Sequence, residues 1–326
     1  MQTRTLGRTG RDVSVVGLGT WQLGADWGDV THDDAIAVLD AAVAEGVTFF
    51  DTADVYGDGR SEQLIGEYLR DRPELDVLVA TKMGRRVDQD PAQFTLDHFR
   101  SWTDRSRTNL GVETLDLVQL HCPPTAVFSD DRVFDALDTL VAEKAVAAYG
   151  VSVETVDEAL AAIARPQVAS VQIILNAFRL KPLDEVLPAA REAGVGIVAR
   201  VPLASGLLSG RYTERTTFAD DDHRSYNRSG EAFDVGETFS GVDFGTGVAA
   251  ARDFAGLVPD GVHPAQAAVA WILAQPGVTA AIPGARNVEQ ARSNAAAAAV
   301  TLPEGFDAGV HDVYDRLLRA DVHPRW

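Results

Sequence analysis

Four side chains in this sequence, Asp51, Tyr56, Lys82 and His121, can together move a proton. A phenol has a pKa of about 10, too high to exchange protons readily near neutrality. A lysine ammonium beside it favours the phenolate and lowers that pKa. A carboxylate paired with the lysine holds it in place and keeps it charged. A histidine nearby can orient a carbonyl oxygen by hydrogen bonding. Such a set suits donation of a proton to a carbonyl oxygen while hydride arrives at its carbon. Each residue alone has a plainer reading: Asp51 as a turn residue, Lys82 on the surface, Tyr56 packed under a turn, His121 in the core. Only convergence on one place makes them a site, so the elements that carry them decide the matter.

The chain alternates short runs rich in Val, Ile or Phe with longer amphipathic runs. The apolar runs cover residues 13–21, 48–53, 77–83, 115–122, 147–153, 168–176, 196–203 and 278–284. Their near-continuous hydrophobicity is that of parallel strands buried on both faces. Helical spacing appears over 33–45, 61–70, 95–110, 131–143, 155–164, 183–193, 264–274 and 288–298. Eight strands, each followed by a helix, predict an α/β fold of the (β/α)8 TIM-barrel type, as one domain over residues 1–326. Residues 3–6 and 12–15 flank Gly7-Arg8-Thr9-Gly10 and predict an N-terminal hairpin plugging the barrel's mouth. Residues 204–245, after the seventh strand, show no regular periodicity and predict a long loop over the catalytic face. The tetrad falls at strand ends: Asp51 and Tyr56 after strand two, Lys82 in strand three, His121 in strand four. The C-terminal strand ends are where barrel enzymes do chemistry.

Bulk properties exclude other classes. The net charge of −19 would repel a phosphate backbone or an anionic membrane, so neither nucleic acid nor membrane is an expected partner. No apolar run approaches a membrane span or a signal peptide, and the one cysteine, Cys122, fits a reducing compartment; the expectation is cytoplasmic. Of the 29 basic residues only Lys82, Lys144 and Lys181 are lysines. Asp220-Asp221-Asp222-His223 has a metal-like composition but reads as an acidic solvated loop, and no metal is expected. A metal-dependent barrel hydrolase would need more His and carboxylate residues at strand ends than Asp51 and His121. Gly17-Leu18-Gly19-Thr20-Trp21-Gln22 does not complete the Gly-rich dinucleotide fingerprint of doubly wound folds.

These stretches resemble the aldo-keto reductase family, whose Asp-Tyr-Lys-His tetrad falls on the same strand ends in the same order. The resemblance runs from Val16-Gly17-Leu18-Gly19-Thr20-Trp21 to the last helix. It implies NADPH-dependent, reversible reduction of aldehydes or ketones, with a small carbonyl or alcohol as substrate. Tyr56 would be the general acid/base, Lys82 and Asp51 its tuners, and His121 the carbonyl's positioner. Ser152 and Gln172 would hold the nicotinamide carboxamide, although Val153 stands where many members carry Asn. Arg200 stands where many carry a stacking aromatic. Gly19, Thr20 and Trp21 at the end of strand one, Pro202, and the backbone of Leu203, Ser205 and Leu207 complete that side; Trp21 also suits the substrate pocket, and Trp27 follows it. Gly284, Arg286, Gln290 and Asn294 resemble the family's adenosine 2′-phosphate clamp, where Arg286 can bind phosphate bidentately. A second basic residue of that clamp is missing from the motif, which implies some use of NADH. Potassium-channel β subunits share the fold and the tetrad, so a nucleotide-sensing regulatory subunit is the alternative. It would call for a partner-docking extension that this sequence does not show.

Overall fold

The computed structural model describes residues 1–24 and 30–326; Trp27 lies outside the described residues. Strands β1 (Thr3–Thr5) and β2 (Asp12–Ser14) form an antiparallel hairpin. Eight further strands follow: β3 (Leu18–Gly19), β4 (Phe49–Asp51), β5 (Leu78–Met83), β6 (Leu115–His121), β7 (Val146–Ser152), β8 (Val168–Ile174), β9 (Gly196–Arg200) and β10 (Val278–Ala281). Each pairs in parallel with the next. Parallel bridges from Val16 to Ala281 and from Gly19 to Gly284 join the last strand to the first and close the barrel. The Gly17 amide donates to the Ala281 carbonyl at 2.8 Å, and the Ala281 amide donates to Val15 at 2.9 Å.

The expected runs of buried apolar residues take these places because both faces of a barrel strand are covered. Every residue of β5 and of β8 is buried. Phe49, Leu78, Ala80, Leu117, Val198 and Ala280 fill the interior together with Leu6 and Val13 of the hairpin. The hairpin is thus the plug that the sequence predicts. Gly7 makes the close approach possible: it has φ +48°, and a Cβ there would overlap the Ala169 carbonyl and the Gly196 amide. Arg8 donates to the carbonyl of Val168 at 2.8 Å and to that of Ala193 at 2.8 Å, tying the plug to the strand starts.

The outer layer contains helices His32–Ala44, Arg60–Arg70, Leu96–Leu110, Asp131–Ala142, Val156–Ile163, Val186–Ala193, Pro264–Ala274 and Val288–Ala296. Their starts are legible as caps: the Thr31, Thr95 and Asn287 side chains accept from third-position amides, and Thr155 with Glu158 completes a capping box. The first expected strand is shorter than the run over 13–21, because Asp12–Ser14 belongs to the hairpin and Trp21 opens a helical turn, Trp21–Gly24. Helices Phe244–Ala255 and Phe306–Leu317 were not foreseen. The first holds two glycines, which weaken its periodic signal, yet Asp243 caps it and Val248, Ala251 and Phe254 bury its inner face. Before it, the stretch after β9 contains only short 3-10 turns and the four-residue helix His223–Tyr226. No helix among the described residues is long and apolar enough to cross a membrane.

Candidate active site

Barrel register brings the tetrad together. Asp51 is the last residue of β4, Lys82 lies in β5, His121 ends β6, and Tyr56 opens the turn Tyr56–Gly59. The Lys82 ammonium, 1% exposed, donates to Asp51 Oδ2 at 2.7 Å and to the Thr52 carbonyl at 2.8 Å. It reaches the Tyr56 hydroxyl at 3.4 Å. The His121 ring meets the Tyr56 ring edge-on, with centroids 5.9 Å apart. Asp51 Oδ1 accepts from Gln172 Nε2 at 2.7 Å, which fixes the carboxylate between β5 and β8.

Charge and burial compete at these groups. Burial raises the Tyr56 phenol above its ordinary value; Lys82 pulls it down, and Asp51 and Glu237 push it further up. The lysine therefore acts in the expected direction, but burial outweighs it and the phenol is held in its acid form. At Lys82 burial disfavours the ammonium, yet Asp51 and Tyr56 outweigh it and its pKa stands above normal. Burial, then Arg85, Lys82 and Arg200, hold His121 well below its ordinary value, so its imidazole is neutral. Its buried Nδ1 has no hydrogen-bond partner among the described residues.

A cavity of about 520 Å³ opens beside the tetrad. Asp51, Tyr56, Gln172 and Arg200 line it, as do Gly19, Thr20, Trp21, Pro202, Leu203, Ser205, Gly284, Arg286, Gln290 and Asn294. Two residues of the expected cofactor set stand outside this lining. Ser152 is buried behind Gln172, donating to its Oε1 at 3.4 Å, and the Leu207 side chain is fully buried in the core. Several others serve the protein's own backbone. Gln290 Oε1 accepts from the Arg286 amide at 2.8 Å, and Asn294 Nδ2 donates to the Gly284 carbonyl at 3.0 Å, so both shape the strand-to-helix turn. Thr20 Oγ1 donates to the Asp51 carbonyl at 2.9 Å. Trp21 packs near Tyr56, His223 and Phe233, with centroids at 6.4, 5.0 and 6.4 Å.

The motif carried one cation at the far turn; the fold supplies more. Arg211 and Arg224 also line the cavity. Burial, followed by the charge of Arg224, lowers the Arg286 pKa. Arg224 is held by Asp222, its Nε donating to Oδ1 at 2.8 Å, and by the Tyr212 hydroxyl. Asp222 and His223, read from sequence as part of a solvated loop, are both buried in this clasp.

A second charged cluster went unforeseen. The Arg200 guanidinium, expected to lie flat for stacking, is tied to Glu154 Oε2 at 2.8 Å and to the Val153 carbonyl at 3.2 Å. Arg85 pairs with Glu237 at 2.9 Å and with Glu154 at 3.5 Å, and Glu237 also faces Arg200 at 3.7 Å. Burial pushes the Glu154 carboxyl up despite Arg200. Burial opposes the charge on Glu237 too, but Arg85 and Arg200 prevail and hold it below the ordinary range. Cys122, Glu154 and Glu237 offer ligand atoms within 4.8 Å of one another, but Arg85 and Arg200 already take the carboxylates, and burial pushes the thiol up to about 12. Glu154 stands two residues beyond the end of β7 and was open to inference as a polar residue of the strand-end turn. Glu237 lies in a stretch without periodicity and gave no signal.

The Aldo/keto reductase family model matches residues 15–312. The "Uncharacterized oxidoreductase YqkF" of Bacillus subtilis (strain 168) is 30% identical over 302 residues, covering 91% of each chain. "Probable aldo-keto reductase 1" of Glycine max is 30% identical over 326 residues, covering 99% of this chain and 90% of its own. Among solved structures, a glycerol dehydrogenase from Gluconobacter oxydans superposes with a TM-score of 0.78 at 29% identity, covering 97% of this chain and 96% of its own. An aldo-keto reductase from Klebsiella pneumoniae, solved in complex with NADPH, gives 0.71 at 22% identity, covering 96% of each.

Proposed function

The chain belongs to the aldo/keto reductase family, and on that premise we propose that it reduces small aldehydes or ketones to alcohols, reversibly, with NADPH. The observation that carries this reading is the buried Lys82 ammonium, bound to Asp51 at 2.7 Å and reaching the Tyr56 hydroxyl at 3.4 Å at the wall of a cavity. The cofactor fits the donor set of that cavity. Gln172 supplies an amide near the tetrad, and Arg286 with Arg224 and Arg211 supplies cations suited to a phosphate. NADPH, when bound, supplies the hydride.

The remaining chemistry belongs to the protein. Tyr56, kept in its acid form by burial, donates its phenolic proton to the carbonyl oxygen as negative charge develops there. Lys82 stabilises the phenolate left behind, and Asp51 holds Lys82 in place. The neutral His121 imidazole donates an N–H to the same oxygen and orients the carbonyl. In the alcohol direction the Tyr56 phenolate takes the proton back. Trp21, with Phe233 and His223 behind it, walls the substrate side with rings.

The test is a panel of aldehydes and ketones followed by NADPH absorbance, with NADH in parallel and Tyr56→Phe as control. Turnover by the native enzyme and none by the variant is expected. A folded protein that binds NADPH but turns over no carbonyl would overturn the reading.

A further inference from the structure

One segment of the catalytic face is held by a residue remote in sequence. Residues 234–241 carry Glu237 into the cavity wall, where Arg85 and Arg200 clamp it. Trp326 packs beneath this segment and is 6% exposed. Its indole N–H donates to Asp234 Oδ1 at 3.0 Å, and the same oxygen accepts from the Gly236 amide at 2.7 Å. The Arg179 guanidinium lies over the indole, 4.2 Å from its centroid. Gly241 has φ +74°, and a Cβ there would overlap the Trp326 ring, so the segment can close on the indole only with glycine at that position. Arg325 adds a bond from its guanidinium to the Gly241 carbonyl at 2.7 Å.

The contact continues from Trp326 to the catalytic face. Arg179, 1% exposed, stands just after β8 and donates to the Glu154 carbonyl. Glu154 binds Arg200 at the end of β9, and Arg200 and Arg85 together hold Glu237. From the other side, Ser205 Oγ donates to the Glu237 carbonyl at 3.1 Å and accepts from the Phe239 amide at 3.0 Å. Glu237 is therefore fixed by strand ends on one side and by Trp326 on the other. Phe233, next to Asp234, is the residue that meets Trp21 edge-on.

We infer that Trp326 is a positioning residue for the substrate side of the cavity, acting through the segment that carries Glu237 and adjoins Phe233. This rests on the carbonyl-reductase reading for its kinetic consequence, but not for the latch itself. A cation–π contact in a desolvated setting and a charge-assisted N–H bond are strong enough to hold the Asp234 end of the segment, whose other ties gather at Glu237 and beyond. Without them the segment should open locally while the barrel stays folded.

The test uses the full chain and the variants Trp326→Ala, Trp326→Phe, Glu237→Gln and the double Trp326→Ala/Glu237→Gln. Chymotrypsin at Phe239, 2% exposed inside the segment, reports its opening without any need for turnover. Trp326→Ala should be cut faster there, with Trp326→Phe in between, because its ring still faces Arg179. In assay, Trp326→Ala should raise KM for the carbonyl roughly five- to tenfold with kcat within about twofold, as expected when uniform binding is lost. In the Glu237→Gln background the same change should add little, since coupled positions are not additive. Unchanged cleavage in Trp326→Ala, or an equal KM increment in both backgrounds, would overturn the inference. If the native enzyme turned over no carbonyl, only the reductase reading would fall, and cleavage alone would decide the latch.

Discussion

Replacing Lys82 by Met tests the proposed proton-transfer role of this lysine apart from its structural one. In the native protein the ammonium is 1% exposed and pairs with a carboxylate that is itself 3% exposed. Lys82→Met leaves Asp51 buried with the Gln172 amide on Oδ1 and no cation on Oδ2. Removing one partner of a buried ion pair typically destabilises by about 3–5 kcal/mol, because the other charge stays uncompensated. For 326 residues the unfolding entropy is about 0.7 kcal/mol per kelvin, so the melting temperature should fall by roughly 4–7 °C. Adding Asp51→Asn removes the stranded charge and keeps an acceptor for Gln172. The double variant should recover most of that loss. It should not recover turnover, since no ammonium stabilises the Tyr56 phenolate in either protein. Urea unfolding with a melting curve gives the first quantity, and NADPH oxidation with the best carbonyl of the panel gives the second. A double variant that regains activity together with stability would refute the assignment, because Lys82 would then matter only as a structural counter-charge. A single variant as stable as the native protein would refute the buried-pair argument.

Tyr56→Phe should lower kcat by roughly 10²–10⁴ and leave NADPH binding, measured by fluorescence titration, nearly intact, because only the transferable proton is removed. Arg286→Ala should raise KM for NADPH roughly tenfold and change KM for NADH little; Arg224→Ala, at the neighbouring cation, should do the same more weakly, and equal losses with both cofactors would mean that these arginines only support the fold. Asp54, buried, is raised from 3.8 to about 7 by burial first and Glu62 second. A raised carboxyl pKa contributes stability that is full below about pH 4 and is lost as pH rises through about 7. Asp54→Asn should therefore stabilise at pH 8 relative to pH 4, by at most about 4 kcal/mol at 1.36 kcal/mol per unit, and a urea series that shows no pH-dependent difference would contradict this.

The parts of the protein that were legible in its sequence are those written in local pattern. β5 and β8 stand out as unbroken apolar runs because both their faces are covered, and Thr31, Thr95 and Thr155 mark helix starts through their own hydroxyls. The tetrad was legible for the same reason: three adjacent strands each carry a polar residue at their last or next-to-last position, and a barrel must bring adjacent strand ends together. What escaped was contact between segments whose spacing carries no period. Arg224 reaches the neighbourhood of Arg286 only because Asp222 and Tyr212 fold that stretch inward, and nothing in the run Asp220–Asp221–Asp222 distinguishes it from a solvated acidic loop. Arg200 was legible as a strand-end residue but not its orientation, which is set by Glu154 two strands away and by Glu237 in the loop.

These misses share a cause that follows from the composition. With 48 acidic and 29 basic residues, most arginines have a carboxylate within reach, and the sequence cannot tell which pairs face water. Arg316 with Asp312 and Arg319 with Asp315 are spaced four apart on helices and contribute little, since water screens them. The clasp of Arg224 on Asp222 is shorter in sequence than either, yet both partners are largely shielded from water and line or flank the cavity. Local spacing is therefore a poor guide to which ion pairs matter here, and burial separates them. Against a field of −19, an anionic ligand is drawn only where arginines outnumber the carboxylates that face it. The cavity wall that gathers Arg211, Arg224 and Arg286 meets that condition. The wall beside Tyr56, where Asp51 and Glu237 both raise the phenol's pKa, does not. The same enclosed space thus favours a phosphate at one wall and an uncharged carbonyl at the other, which is the division of labour that the reductase reading requires.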